Sequence, residues 1–216
     1  MAITGLSVIG ESINDSVPST KKLFDESDID GILELARFQD ERGAAYIDVN
    51  VGGREPAFMA ELVRKIQDAT AKPLSIDTPD PEIARAGLEA YDVQRAMGKP
   101  PVLNSITALR AEAFELLKVA PFRPILLISE NVVDGSSRAC HTAEETYQAA
   151  RDLVAAAREH GLTTDDCILD PGIAPIGSDA EGNLKRLLDA MELVRQDEDL
   201  AGVHASVGLS NFTVML

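Results

Sequence analysis

Ser75-Ile76-Asp77-Thr78-Pro79 decides the fold. A short apolar run climbs to a carboxylate, and a proline stops it. The design recurs: Ala45-Tyr-Ile-Asp-Val-Asn50 ends on Asp48 and Asn50, and Pro101-Val-Leu-Asn-Ser105 ends on Asn104. Cys167-Ile-Leu-Asp-Pro171 ends on Asp170, and Val207-Gly-Leu-Ser-Asn211 ends on Asn211. Each run reads as a buried strand finishing in Asp or Asn, and a helical pattern follows nearly every one. A (β/α) barrel presents its site in this way, with polar side chains at the C-terminal ends of its strands.

Working outward, the order of elements is regular. Strand one is expected at residues 6–10 and is followed by Glu11-Ser-Ile-Asn14. A helix is expected over 25–42, with acids at its start and Gly43 as its stop. Strand two covers 46–51, then a helix covers 56–69 with Phe58, Leu62, Val63 and Ile66 on one stripe. Strand three covers 74–77, and Pro81 suits the first turn of a helix running to 97. Strand four (102–105), a helix over 109–119 and strand five (124–129) follow. A polar loop is expected over 130–141. Thr142-Ala-Glu-Glu145 is a capping box opening a helix to 159. Strand six (167–170), a helix over 179–195 and strand seven (204–208) complete the order.

Short, continuously apolar strands alternating with helices point to a parallel sheet buried on both faces. The expected architecture is α/β: a TIM (β/α)8 barrel cut short after strand seven, in one domain spanning 1–216. An open doubly wound sheet usually carries a glycine-rich phosphate loop after strand one, and Gly10-Glu-Ser-Ile-Asn is not one.

The bulk numbers exclude some classes. The 216 residues suffice for one substantial core, and 45% are hydrophobic. No apolar run nears the roughly 20 residues needed to span a bilayer, and no signal peptide opens the chain. The two cysteines, Cys140 and Cys167, suggest no disulfide framework, so a cytoplasmic location is expected. The formal charge of −16 argues against nucleic acid and anionic membrane surfaces.

The candidate site is the strand-end set Glu11, Asn14, Asp48, Asn50, Asp77, Asn104, Ser105, Asp170, Ser210 and Asn211. It holds acceptors and amides but no Lys, Arg or His. A phosphate ligand would want cations, so phosphorylated substrates are disfavoured. Zinc-hydrolase and Schiff-base chemistry lack their residues. Two ligand classes remain: a neutral, donor-rich heterocycle, or a hard cation held by oxygens of Asp48, Asp77 and Asp170. In the loop, Arg138, Cys140 and His141 lie close together but fall short of a metal site, so that loop is expected to be mobile and to carry no chemistry.

The motifs, in order, resemble those of the pterin-binding methyltransferases. Ile9-Gly-Glu-Ser-Ile-Asn14 resembles the family's Ile-Gly-Glu-Arg-x-Asn, and Gly43-Ala-Ala-Tyr-Ile-Asp-Val-Asn50 its Gly-Ala-x-x-Ile/Leu-Asp-Val/Leu-Asn. Ser75-Ile-Asp-Thr78, Leu103-Asn-Ser-Ile106, Leu169-Asp-Pro171 and Gly208-Leu-Ser-Asn211 find counterparts too. The family includes methyltetrahydrofolate:corrinoid/iron–sulfur protein methyltransferase, the folate domain of cobalamin-dependent methionine synthase and, more distantly, dihydropteroate synthase. The resemblance implies a dihydropteroate-synthase-like barrel. It implies a methyl group moved between N5 of methyltetrahydrofolate and the cobalt of a cobalamin (corrinoid) carried by a partner protein, with no metal bound by the chain itself. Asp77, Asn104 and Asp170 would hold the pterin, and Asn211 would act as the catalytic residue near N5. A homodimer is the usual assembly. A non-catalytic pterin-binding module is the alternative from another class. Ser12 departs from the pattern where relatives carry Arg. The phosphate-binding motif of the dihydropteroate synthase branch is not found.

Overall fold

A computed structural model describes residues 5–179 and 182–213. Met1–Thr4, the chain end at Leu216, and residues 180–181 of the helix expected from 179 lie outside the described residues. Two compact units are present. The first comprises the chain up to Asn104 together with Leu116–Phe122, and the second comprises Ser105–Glu115 and the chain from Arg123.

In the first unit the elements are β1 (Ile9–Asn14), α1 (Pro18–Asp25), α2 (Ile29–Glu41), β2 (Tyr46–Asn50), α3 (Pro56–Ala69), β3 (Leu74–Asp77) and α4 (Pro81–Ala90). β4 (Val102–Ile106) closes the series, and the unit boundary falls inside it. β1 to β4 pair in parallel, each with the next in chain order. Ile47, Val49, Leu74, Ile76 and Val102 are fully buried, as are Met59, Val63 and Ile66 of α3. The sheet face that carries Ile47, Val49, Leu74 and Ile76 is apolar, as burial against helices requires.

A 3-10 helix, Ala108–Lys118, stands where an α-helix is expected, with a break at Arg110 (φ −119°, ψ 33°). The second unit continues with β5 (Arg123–Leu127), β6 (Glu130–Val133), β7 (Ser136–Ala139), α5 (Ala143–Glu159), β8 (Ile168–Asp170), α6 (Asn183–Gln196), β9 (His204–Ala205) and α7 (Leu209–Thr213). β5, β8 and β9 pair in parallel in that order. Leu126 and Leu169, with Ala150, Val154 and Ala157 of α5, are buried in the unit's core.

The seven parallel strands expected from the sequence are all present. Several boundaries differ, each for a local reason. β1 runs to Asn14, so Glu11, Ser12 and Asn14 lie within the strand. Residues 25–42 are not one helix. Ser27 takes φ 56°, which separates α1 from α2, and α1 starts from Pro18 at its first turn. α4 stops at Ala90 because Tyr91 is extended. The loop over 130–141 is a β-hairpin, β6 paired antiparallel with β7. Its turn is Asp134-Gly135, both at positive φ, the Asp-Gly signature of a two-residue hairpin turn. The capping box is as expected: Glu145 N–H donates to Thr142 Oγ1 (3.1 Å), and Thr142 N–H donates to the Glu145 carboxylate (3.3 Å). β9 ends at Ala205, well short of 208. No helix among the described residues is long and apolar enough to cross a membrane.

Candidate functional site

The site of the first unit is built by strand register. Parallel pairing sets Asp48 beside Ser75, Asp77 beside Asn104, and Asn14 beside Asn50. Side chains alternate along a strand, so Asp48, Asn50, Ser75, Asp77 and Asn104 share one face. They form two rows. Asp48 and Ser75 lie in the deeper row, and Asn50, Asp77 and Asn104 lie at the strand ends.

The outer row is fixed by its own hydrogen bonds. Asn50 Nδ2 donates to Asp77 Oδ2 at 2.8 Å, while Asn50 Oδ1 accepts from the Gly52 N–H at 2.9 Å. The amide has one donor end and one acceptor end, so the turn sets which end faces the carboxylate. Gly52 is required there: its φ is +60°, and a Cβ would lie 2.4 Å from Asp15 Oδ2. Past β3, the Thr78 N–H donates to the Asn104 carbonyl at 3.0 Å. Asp80 Oδ1 accepts from Glu82 N–H (2.8 Å) and Ile83 N–H (3.2 Å), capping α4. A cleft of about 590 Å³ opens over these ends, with Asn50, Thr78 and Asp80 among its walls.

The deeper row is almost dry, with Asp48 only 2% exposed. Burial pushes its carboxyl well above the usual range, and neighbouring Asp77 and then Glu11 push it further. Ser75 and Asn104 oppose the rise. Even so, Asp48 Oδ1 and Ser75 Oγ have no hydrogen-bond partner of good geometry among the described residues.

Of the residues expected at the site, this unit brings together Asp48, Asn50, Asp77 and Asn104, with the exposed Glu11 acting on Asp48. Asn14 is in register with Asn50, but its Oδ1 accepts from the Ser16 N–H (2.8 Å) and hydroxyl (2.6 Å) in a turn. Ser105 follows Asn104 on β4 and so projects to the opposite face of that strand. Arg54 was not anticipated. It lines the cleft four residues past β2, and Gly52-Gly53-Arg54 directly after a strand was the available signal. Its guanidinium bonds Asp15, donates to Asp25 (3.0 Å) and sits 4.6 Å from the Phe24 ring centre. Its charge is thus committed to carboxylates of the protein itself.

In the second unit, Asp170 ends β8. Its Oδ1 accepts from Gly172 N–H (2.8 Å) and its Oδ2 from the Ser206 hydroxyl (3.3 Å). Burial raises its carboxyl, and these two donors oppose the rise. Gly172 has φ +67°, and a Cβ on it would meet Ser129 at 2.6 Å. Ser206, not anticipated, lies just past β9. Asn211 does not end a strand. It lies exposed in the five-residue α7, as does Ser210, because β9 stops early and Gly208 starts a helical turn with Asn211 N–H donating to Gly208 O (3.0 Å). The space beside Gly208 is taken by Asn211 Nδ2, 2.8 Å from where a Cβ would be. No group of three His, Cys, Asp or Glu that could hold a metal ion occurs among the described residues.

The family described as "Pterin binding enzyme" matches residues 13–216. A methylcorrinoid:tetrahydrofolate methyltransferase of Eubacterium limosum is 28% identical over 218 residues, covering 95% of this chain and 74% of that protein. Among solved structures, dihydropteroate synthase of Xanthomonas albilineans with 4-aminobenzoic acid has a TM-score of 0.63 at 21% identity, covering 97% of this chain and 74% of that one. The same enzyme in complex with indole-2-carboxylic acid and 6-chloroguanine has a TM-score of 0.64 at 20% identity, covering 94% and 71%. The fold is therefore that of the dihydropteroate synthase barrel.

Proposed function

The chain belongs to the pterin-binding enzymes, and from that premise we propose that it moves a methyl group between N5 of a reduced folate and the cobalt of a corrinoid held by a partner protein. The single observation that carries the reading is the outer row. Asp77 and Asn104 stand side by side in register, and Asn50 holds Asp77 by one oxygen. The edge of a pterin offers an N3–H and a 2-amino group, both donors and adjacent. Adjacent acceptors on two strands match them and fix the plane of the ring as well as its position. The family resemblance adds Asp170 as a third acceptor and Asn211 at N5.

N5 is a poor leaving group as a neutral amine, so a methyl group leaves it only as the nitrogen gains positive character through a proton or hydrogen bond. In the opposite direction, N5 takes the methyl group and sheds its proton. An amide such as Asn211 can accept or donate, so it serves both states. A contact that strengthens as charge develops at N5 lowers the barrier, whereas one made equally before reaction only tightens binding. The cobalt supplies the methyl donor or the nucleophile. The similarity to the E. limosum methylcorrinoid:tetrahydrofolate methyltransferase supports transfer from corrinoid to folate. A cytoplasmic setting and a homodimer belong to the same reading.

The test is spectroscopic: the protein is mixed with methylcob(III)alamin and tetrahydrofolate. Loss of the methylcobalamin spectrum with formation of methyltetrahydrofolate is expected. Folate binding with no methyl transfer, to free cobalamin or to a corrinoid protein, would instead identify a binding module.

A further inference from the structure

Among the described residues of the site, Asp48 is the carboxylate that lies beneath the strand ends, in the deeper row. It is 2% exposed, and it stands in register with Ser75, one row beneath Asp77 on the same face. Its Oδ1 and the Ser75 hydroxyl lack partners among the described residues, and Asp48 makes no ion pair there. The titratable groups acting on it are both acids, Asp77 from β3 and Glu11 from β1, while Ser75 and Asn104 supply only neutral dipoles. The guanidinium of Arg54, four residues past β2, is committed to Asp15 and Asp25. A buried anion in such surroundings would have neither a counter-ion nor a full set of donors, and two adjacent carboxylates in one dry site do not both ionise readily.

We propose that Asp48 stands at neutral pH as an uncharged carboxylic acid, a positioning residue that keeps its proton so that Asp77, one row above, is the ionised member of the pair that faces the ligand. The inference rests on the proposed function only in naming a pterin as that ligand. The protonation state itself is a property of the free protein. An acid group here has a use that an apolar one would lack: it fills the polar floor, and it can donate a hydrogen bond toward acceptors that a second anion would repel.

The sign of the pH dependence follows. A carboxyl raised on folding binds its proton more tightly in the folded than in the unfolded chain. Between the ordinary carboxylate value and the raised one, stability therefore falls as pH rises, and above the raised value the loss is complete. Two measurements on the free protein test this. In protein carrying 13C-labelled aspartate, with the Asp48 Cγ resonance assigned by its loss in Asp48→Asn, we expect Asp48 to stay protonated at pH 7 while Asp77 is ionised. An ionised Asp48 at pH 7, or the proton found on Asp77, overturns the proposal. The second measurement is the melting temperature of Asp48→Asn, a neutral mimic, and Asp48→Ala. Asp48→Asn should melt at or above wild type at pH 7, whereas Asp48→Ala should melt lower. In Asp48→Asn the fall in melting temperature with rising pH should be absent. A wild type that gains stability with pH through this window relative to Asp48→Asn also overturns it. Neither measurement uses folate or corrinoid, so failure of methyl transfer leaves both readable.

Discussion

The strand ends of the first unit and those of the second are built on different principles. At the ends of β2, β3 and β4, the polar side chains are in register across the sheet, and one of them also uses a turn: Asn50 donates to Asp77 and accepts from the Gly52 N–H, and Asp77 stands beside Asn104. At the ends of β8 and β9, turns have the larger share, with one bond from Ser206, just past β9, to Asp170. Asp170 accepts from the N–H of its own turn at Gly172, and Asn211 rides on a five-residue helix after a two-residue strand. A motif at a strand end inherits the sheet's geometry only where pairing continues up to it. Past that point, local turn chemistry decides where the side chain goes.

The largest effect should come from the turn-built region. Asn211→Ala is expected to lower the single-turnover rate of methyl transfer at saturating folate by about 10²–10³, the worth of one contact that strengthens in the transition state. Folate affinity should change little. An unchanged rate constant would leave Asn211 only its bond to Gly208, and would put all of the site's chemistry on the sheet-built side.

Next comes the sheet-built side itself. Asp77→Ala leaves a donor of the bound pterin unpaired, at about 1–3 kcal/mol, or roughly 5- to 150-fold in Kd by calorimetry. Wild-type affinity for methyltetrahydrofolate in that variant would remove Asp77 from the pterin. Asn50→Ala sharpens the point, because Asn50 acts on the ligand only through Asp77 in this reading. Losing one hydrogen bond to the carboxylate should weaken folate by about 1 kcal/mol, several-fold in Kd. A loss as large as that of Asp77→Ala would mean that Asn50 touches the ligand itself.

The same contrast explains what was legible in the sequence. The seven parallel strands were readable because continuous apolar runs such as Pro124-Ile-Leu-Leu127 have few other places to go than a sheet buried on both faces. Asp48, Asn50, Asp77 and Asn104 were readable as a group for the same reason: a period of two fixes their face. The turn-built parts were not. Asn211 was assigned to a strand end because Gly208-Leu-Ser-Asn211 continues an apolar run, but β9 has only His204–Ala205. Arg54 escaped notice because its bonds reach Asp15 and Asp25, distant in sequence. The hairpin of β6 and β7 carried its own signal in Asp134-Gly135, but short exposed strands lack the apolar alternation that makes most hairpins visible.

That hairpin supplies the smallest effect. It brings Arg138, Cys140 and His141 close in sequence, a trio that invites a reading as a reactive centre. The structure disposes each of them otherwise. Arg138 Nη2 donates to Glu145 Oε1 at 2.9 Å, and the His141 N–H donates to Glu145 Oε2 at 2.7 Å, so both serve the start of α5. Cys140 is 4% exposed, and burial, with Glu145 nearby, pushes its thiol up. The thiolate is the nucleophile, so a buried thiol held protonated reacts slowly. Cys140→Ser should therefore leave the methyl-transfer rate at the wild-type value, and native Cys140 should react with alkylating reagents far more slowly than in unfolded protein. A thiol that alkylates at the unfolded rate, or a Cys140→Ser variant with normal folding but lost transfer, would show that the second unit keeps chemistry in its hairpin as well as in its strand-end turns.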